Sequence, residues 1–224
     1  MTGYKLPHCL IKVTDQKIFS DALVEKGDLF ISALEKFSKY DDDGKTRNDI
    51  LEGASHLLQV EKLKEDKIPV LAKGIDGHYF DISEHMVGNF IRRDIDNKEY
   101  KIYSTYAFNP SEPEIDDRMF EFGEYLTIIF DVPKFLKKID ERVSELNKDR
   151  NDWEKVKFYF RESVYVDPNE YHGTWSNFLK PADYKYQNEF RIIFHDPLLE
   201  IKSNFLVGDI SDLSASYYYK DIIE

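Results

Sequence analysis

The stretch YKYQNEFRIIF, residues 184–194, decides how this chain is read. As a β-strand it sends alternate side chains to opposite faces. Tyr186, Asn188, Phe190, Ile192 and Phe194 then form one mostly apolar face, and Gln187, Glu189, Arg191, Ile193 and His195 form the other. An amide, a carboxylate, a guanidinium and an imidazole in one row describe either a solvated sheet surface or the wall of a polar cleft. Alternation aims Gln187 and Glu189 at the same space, about 7 Å apart along the strand. A carboxylate with an amide beside it can stabilise a cationic sugar transition state and steer an incoming nucleophile. On a solvated face the same residues are an ordinary Glu–Arg pair worth little.

Around this stretch the chain reads as strands with a few helices. IYSTYAF, residues 102–108, is an aromatic strand with hydroxyls at Ser104 and Thr105, which need partners if buried. They could hold a catalytic carboxylate or a ribose; equally, Thr is a good strand former and Ser fills a tight spot. EYLTIIF, residues 124–130, is another strand. Asp131 then caps a helix with Pro133 at its start, running to about Leu146 with Phe135, Leu136, Ile139, Val143 and Leu146 on one side. DQKIFSDALVEKG, residues 15–27, reads as a short helix or an irregular segment ending at Gly27, and DLFISAL, residues 28–34, as a strand candidate. DILEGASHLLQVEKL, residues 49–63, has helical spacing, with Asp49 and Glu52 at capping-box positions. Strands without regular alternation with helices predict an α+β class rather than a doubly wound sheet. No linker divides residues 1–224, so one domain is expected.

With 42% hydrophobic and 15% aromatic residues the 224-residue chain can build a core. A net charge of −12 gives no general electrostatic footprint for nucleic acid, although a local basic cleft can sit on an acidic body. Cys9 is the only cysteine, and the six histidines show no HxH or HxxxH spacing, so thiolate and common zinc sites are not expected. Phosphate-cradling glycine motifs and the G-x-S-x-G elbow are missing as well. No apolar run reaches the ~20 residues that span a membrane. A cytoplasmic location is the expectation.

The late stretch and its place in the chain resemble the ADP-ribosyltransferase fold, whose signature is a [Gln/Glu]-x-Glu pair on a late strand. Gln187-x-Glu189 matches that pair, and Ser104-Thr105 partly matches an earlier Ser-Thr-Ser strand motif, with Tyr106 where a serine is expected. Arg47, in a loop, is the nearest candidate for the early arginine of that fold. The chain also looks like a broad group of uncharacterised bacterial and phage proteins that share an early segment like LFISALEKF and a late strand matched by Tyr184, Gln187, Glu189, Phe190 and Arg191. The resemblance implies mixed β-sheets with flanking helices and NAD as substrate. Glu189 would bond the nicotinamide ribose and stabilise the oxocarbenium-like state, and Gln187 would position the acceptor. Ser104 would brace Glu189 or the ribose, with Thr105 and Tyr106 beside it; Arg47 or Arg191 would meet the pyrophosphate. Tyr103, Tyr106 and Tyr186 are aromatics that could stack on a base. The implied activity is mono-ADP-ribosylation of a macromolecule, protein or nucleic acid, in a toxin or phage–host conflict, with a cognate antitoxin or inhibitor as a further partner. Two other readings stand beside it. One is an acidic, catalytically inactive module that captures a partner; the other is a metal-dependent nuclease using Asp49, Glu52 and Glu189.

Overall fold

The computed structural model describes residues 5–34, 49–93, 98–111 and 114–223. In chain order these fold as β1 (Cys9–Thr14), α1 (Lys17–Lys26), β2 (Asp28–Phe30), β3 (Ser32–Ala33), β4 (His56–Gln59), α2 (Val60–Glu65), β5 (Leu71–Lys73), β6 (Tyr79–Asp81), β7 (Asn89–Arg92) and β8 (Tyr100–Phe108). There follow β9 (Tyr125–Ile129), α3 (Val132–Leu146), β10 (Lys157–Glu162), β11 (Val164–Val166), β12 (Gly173–Thr174), β13 (Leu179–Pro181), β14 (Glu189–His195), β15 (Asn204–Leu206), β16 (Ser214–Tyr218) and α4 (Lys220–Ile223). The architecture is mixed, with mostly antiparallel sheets and few helices, as an α+β chain should be.

The main sheet has seven strands in the order β10-β14-β8-β1-β9-β16, with β3 added on β8. All of its pairs are antiparallel. Its two faces differ. Leu10, Tyr103, Ala107, Ile129, Phe190, Ile192 and Phe194 project to one side and close the principal core against Phe135, Leu136, Ile139 and Val143 of α3. The expected stripe on α3 is therefore the one that packs, and Leu146 joins it partly buried. Asp131 caps this helix by accepting from the Lys134 N–H at 3.0 Å. Losing such a cap costs about 1 kcal/mol, so Asp131→Ala should lower unfolding free energy by that amount in urea titration, with an unchanged denaturant slope.

The other face is only partly apolar. Cys9, Ile11, Tyr106 and Leu126 pack there with Met119 from the 3-10 segment Asp117–Phe122. The remaining part of this face, on β8 and β14, carries Ser104, Glu189 and Arg191. The segment 49–54 and β13 supply the polar partners there.

Three expectations are corrected. Residues 49–63 do not form one helix: 49–55 are turns and coil, β4 follows, and only Val60–Glu65 is helical. Gly53 takes φ 70°, outside the right-handed helical region, and Ile50 is exposed while Leu57 is fully buried, as a turn and a strand dictate. Asp49 therefore does not cap a helix; its Oδ1 accepts from the Leu51 N–H at 2.9 Å within a turn. DLFISAL breaks into two short strands around the buried Ile31. The stretch 184–194 is a strand only from Glu189. Ala182–Gln187 is a 3-10 helix, and Asn188, at φ 34°, turns the chain between them. Asparagine is among the few side chains that tolerate that region.

A buried charged cluster at a cavity

β14 and β8 set the site. Their register pairs Glu189 with Tyr106 and Arg191 with Ser104. Directly opposed residues of an antiparallel pair share a face, so all four project to the same side. Thr105 pairs with Phe190, and its hydroxyl donates to the Phe190 carbonyl at 3.4 Å. Tyr103 lies on the core side, 1% exposed, so it cannot stack on a ligand beside Glu189.

Arg191 is the bulkiest fully buried side chain among the described residues. Its Nε donates to Glu189 Oε2 at 3.0 Å, and Nη1 and Nη2 donate to the two Glu52 oxygens at 2.9 and 2.6 Å. Nη1 also donates to the Asn177 carbonyl at 2.6 Å. This bidentate geometry is the strong form of an arginine–carboxylate pair. A guanidinium engaged by two carboxylates and a carbonyl is a brace for them. Arg47, the other candidate for the pyrophosphate, lies outside the described residues.

Lys180 on β13 completes the cluster. Its Nζ lies 3.0 Å from Glu189 Oε2 and donates to Gln187 Oε1. The expected neighbours Gln187 and Glu189 are thus brought together, but through a shared lysine rather than by strand alternation. Gln187 Nε2 donates to the Tyr186 hydroxyl at 3.3 Å, and the Arg118 guanidinium stacks over the Tyr186 ring. The Glu189 backbone N–H donates to the Tyr165 hydroxyl at 2.8 Å. Burial works to raise the Glu189 carboxyl, but Arg191, Lys180 and a hydrogen bond with Ser104 outweigh it and hold it well below the usual carboxylate range. Burial raises the Glu52 carboxyl, against the pull of Arg191 and Lys180, and both of its oxygens accept from Arg191.

The cluster lines a cavity of about 520 Å³. That volume is within the ordinary range for small-molecule sites, which are apolar cavities with a few placed polar groups. The polar wall is Asp49, Glu52, Lys180, Gln187, Glu189 and Arg191; elsewhere Ile11, Phe19, Phe30, Tyr106, Met119 and Phe122 contribute. Ser104, Thr105 and Tyr184 also reach it. Of the three expected stacking tyrosines, only Tyr106 is on the wall. Lys12 also borders the cavity, its Nζ donating to the Ser104 carbonyl at 2.8 Å and lying 4.9 Å from the centre of the Tyr103 ring.

Among the described residues no three of His, Cys, Asp or Glu converge as a metal site needs. Glu52 and Glu189, two of the three carboxylates of the nuclease reading, are instead held by Arg191. Among the same residues, no helix is long and apolar enough to cross a membrane.

Lys180 and the cavity aromatics Phe19, Phe30 and Phe122 have no sequence signal that marks them. Lys180 stands alone between Leu179 and Pro181, and its partners come from a separate segment. Comparison with protein-family models, with curated proteins and with solved structures gave no match.

Proposed function

We propose that the chain is an NAD-dependent mono-ADP-ribosyltransferase of ADP-ribosyltransferase-like fold, acting on a macromolecular acceptor. The observation that carries this reading is Glu189, a buried carboxylate held ionised on the wall of a ligand-sized cavity and joined to Gln187 through Lys180. Departure of nicotinamide leaves positive charge on the ribose. A fixed anion in a water-poor site stabilises that charge more than bulk water does, because it needs no reorganisation. Glu189 is the stabilising carboxylate, and Gln187 orients the acceptor. Ser104 bonds and braces Glu189. Arg191 and Glu52 fix the carboxylate from behind. The apolar part of the cavity gives flat surface for the ring systems of NAD.

The test is incubation of the purified protein with labelled NAD and cell lysate, followed by separation of protein, DNA and RNA. Label is expected in one fraction. Glu189→Gln, isosteric but uncharged, should lower both labelling and nicotinamide release at least about 100-fold while melting as a folded protein. An unchanged rate in Glu189→Gln excludes Glu189 from this role.

A further inference from the structure

Four buried side-chain polar atoms among the described residues lack a hydrogen-bond partner: Asp49 Oδ2, Tyr103 Oη, Ser163 Oγ and Asp196 Oδ1. Only Asp49 belongs to a residue that lines the cavity. Buried polar atoms are almost always partnered, so an orphan in a residue of the cavity wall calls for an explanation, and a catalytic role is one. Asp49 is 3% exposed. Its Oδ1 is fixed by the Leu51 N–H, and the turn that presents it is held at several points. The Glu52 N–H donates to the Asp49 carbonyl at 2.9 Å, Arg93 donates to the Ile50 carbonyl, and the Glu52 carboxylate is locked by Arg191. Leu51 and Ala54 anchor the turn in a core with Leu57 and Trp175. Asp49 is therefore a rigidly held residue of the wall that also carries Gln187 and Glu189, and its Oδ2 is a buried acceptor with no partner.

We propose that Asp49 is a further catalytic residue: the general base that receives the proton of the acceptor nucleophile, a hydroxyl or amide. This rests on the transferase reading. The bond between ribose C1′ and nicotinamide breaks, and its electron pair leaves with nicotinamide. The acceptor oxygen or nitrogen bonds to C1′, and its proton passes to Asp49 Oδ2. No redox partner is needed.

The charged and titratable groups around Asp49 are Lys180 from β13, Glu189 and Arg191 from β14, Tyr184 from the 3-10 segment and Glu52 from its own turn. Burial raises the Asp49 carboxyl, opposed by Lys180, the Leu51 N–H and Arg191 and aided by Glu189. A raised carboxyl is a stronger base, and it must be deprotonated to act. Transfer should therefore rise with pH through a midpoint above the usual aspartate value of about 3.9.

The experiment measures steady-state labelling from NAD and nicotinamide release between about pH 4 and 9 for wild type and Asp49→Asn. Asparagine keeps the Oδ1 acceptor for Leu51. The expected result is a loss in kcat of about 100-fold with KM for NAD within about twofold, and no acid limb in the residual rate. Melting near the wild-type temperature is expected, because asparagine keeps the size of aspartate and the Oδ1 acceptor for Leu51. Asp49→Ser, which also retains a local acceptor, should show the same kinetic loss. Three results overturn the assignment alone: wild-type rates in the variants, an acid limb that survives in Asp49→Asn, or a loss of rate that accompanies loss of NAD binding. Failure of the wild type to release nicotinamide overturns the transferase reading and the base assignment together.

Discussion

Arg191→Met is expected to destabilise the fold by about 3–5 kcal/mol near neutral pH. The replacement is close in length and apolar, so the loss is electrostatic rather than a cavity. It strands Glu52, whose two oxygens both rely on Arg191, and removes one of the two cations on Glu189. Taking one partner from a buried pair leaves an uncompensated charge, which costs more than the pair itself is worth. The pH dependence is diagnostic. In the wild type the Glu189 carboxyl is lowered relative to the unfolded chain. Its contribution is thus fully present above the unfolded value of about 4.3 and is lost as pH falls through the lower folded value. Without Arg191, burial acts on Glu52 with its main counter-charge gone, and raises its folded carboxyl further. A raised carboxyl penalises the fold above the unfolded value, and the penalty disappears once both states are protonated. The gap between wild type and variant, read by urea unfolding, should therefore be widest near pH 7 and shrink toward about pH 4. Adding Glu52→Leu should recover much of the loss, as coupled neighbours do. A deficit below about 1 kcal/mol at neutral pH would sink this account of the cluster.

Why Arg191 was legible as a residue but not as a brace follows from sequence distance. Glu52 lies 139 residues from Arg191, and no periodicity links them. Local pattern did identify what local physics controls. The aromatic strand Tyr100–Phe108, the strand Tyr125–Ile129 and the capped amphipathic helix after Asp131 all form where their alternation or 3.6-residue spacing places them. The pattern misled at 49–63, where apolar residues fit a helix on paper. There the carboxylate of Glu52 is drawn to Arg191, Gly53 turns the chain, and Leu57 is buried from a strand. It misled in part at 184–188, where Asn188 adopts a left-handed conformation that a strand reading cannot contain. Candidate site residues emerged where they lie on strands, Ser104 and Glu189 above all, because strand parity assigns a face. Lys180, Asp49 as an orphan acceptor and the cavity aromatics emerge only once separate segments meet.

Gly123→Ala should be the most damaging small substitution at the cavity's edge, costing on the order of 3 kcal/mol or more. Gly123 ends the 3-10 segment Asp117–Phe122 with φ 149° and ψ 179°, a region used almost solely by glycine. A Cβ there would sit 2.1 Å from both the carbonyl carbon and oxygen of Thr14, and 2.4 Å from the Asp15 nitrogen. Those atoms are backbone at the end of β1, so no rotamer change relieves the overlap. Either β1 or the 3-10 segment must move. Thr14, Asp15 and Phe122 all line the cavity, so the same displacement reshapes the ligand site. Gly77→Ala is the matched control. Gly77 also has a positive φ, 84°, but a Cβ there meets nothing within 4 Å. Its cost should be the conformational strain alone, about 1 kcal/mol. Urea unfolding of the two variants separates the terms. Equal losses would mean that backbone strain, and not the approach to β1, governs Gly123. A loss several-fold larger in Gly123→Ala, with weaker NAD binding than in Gly77→Ala, would tie the close approach of these two segments to the shape of the cavity.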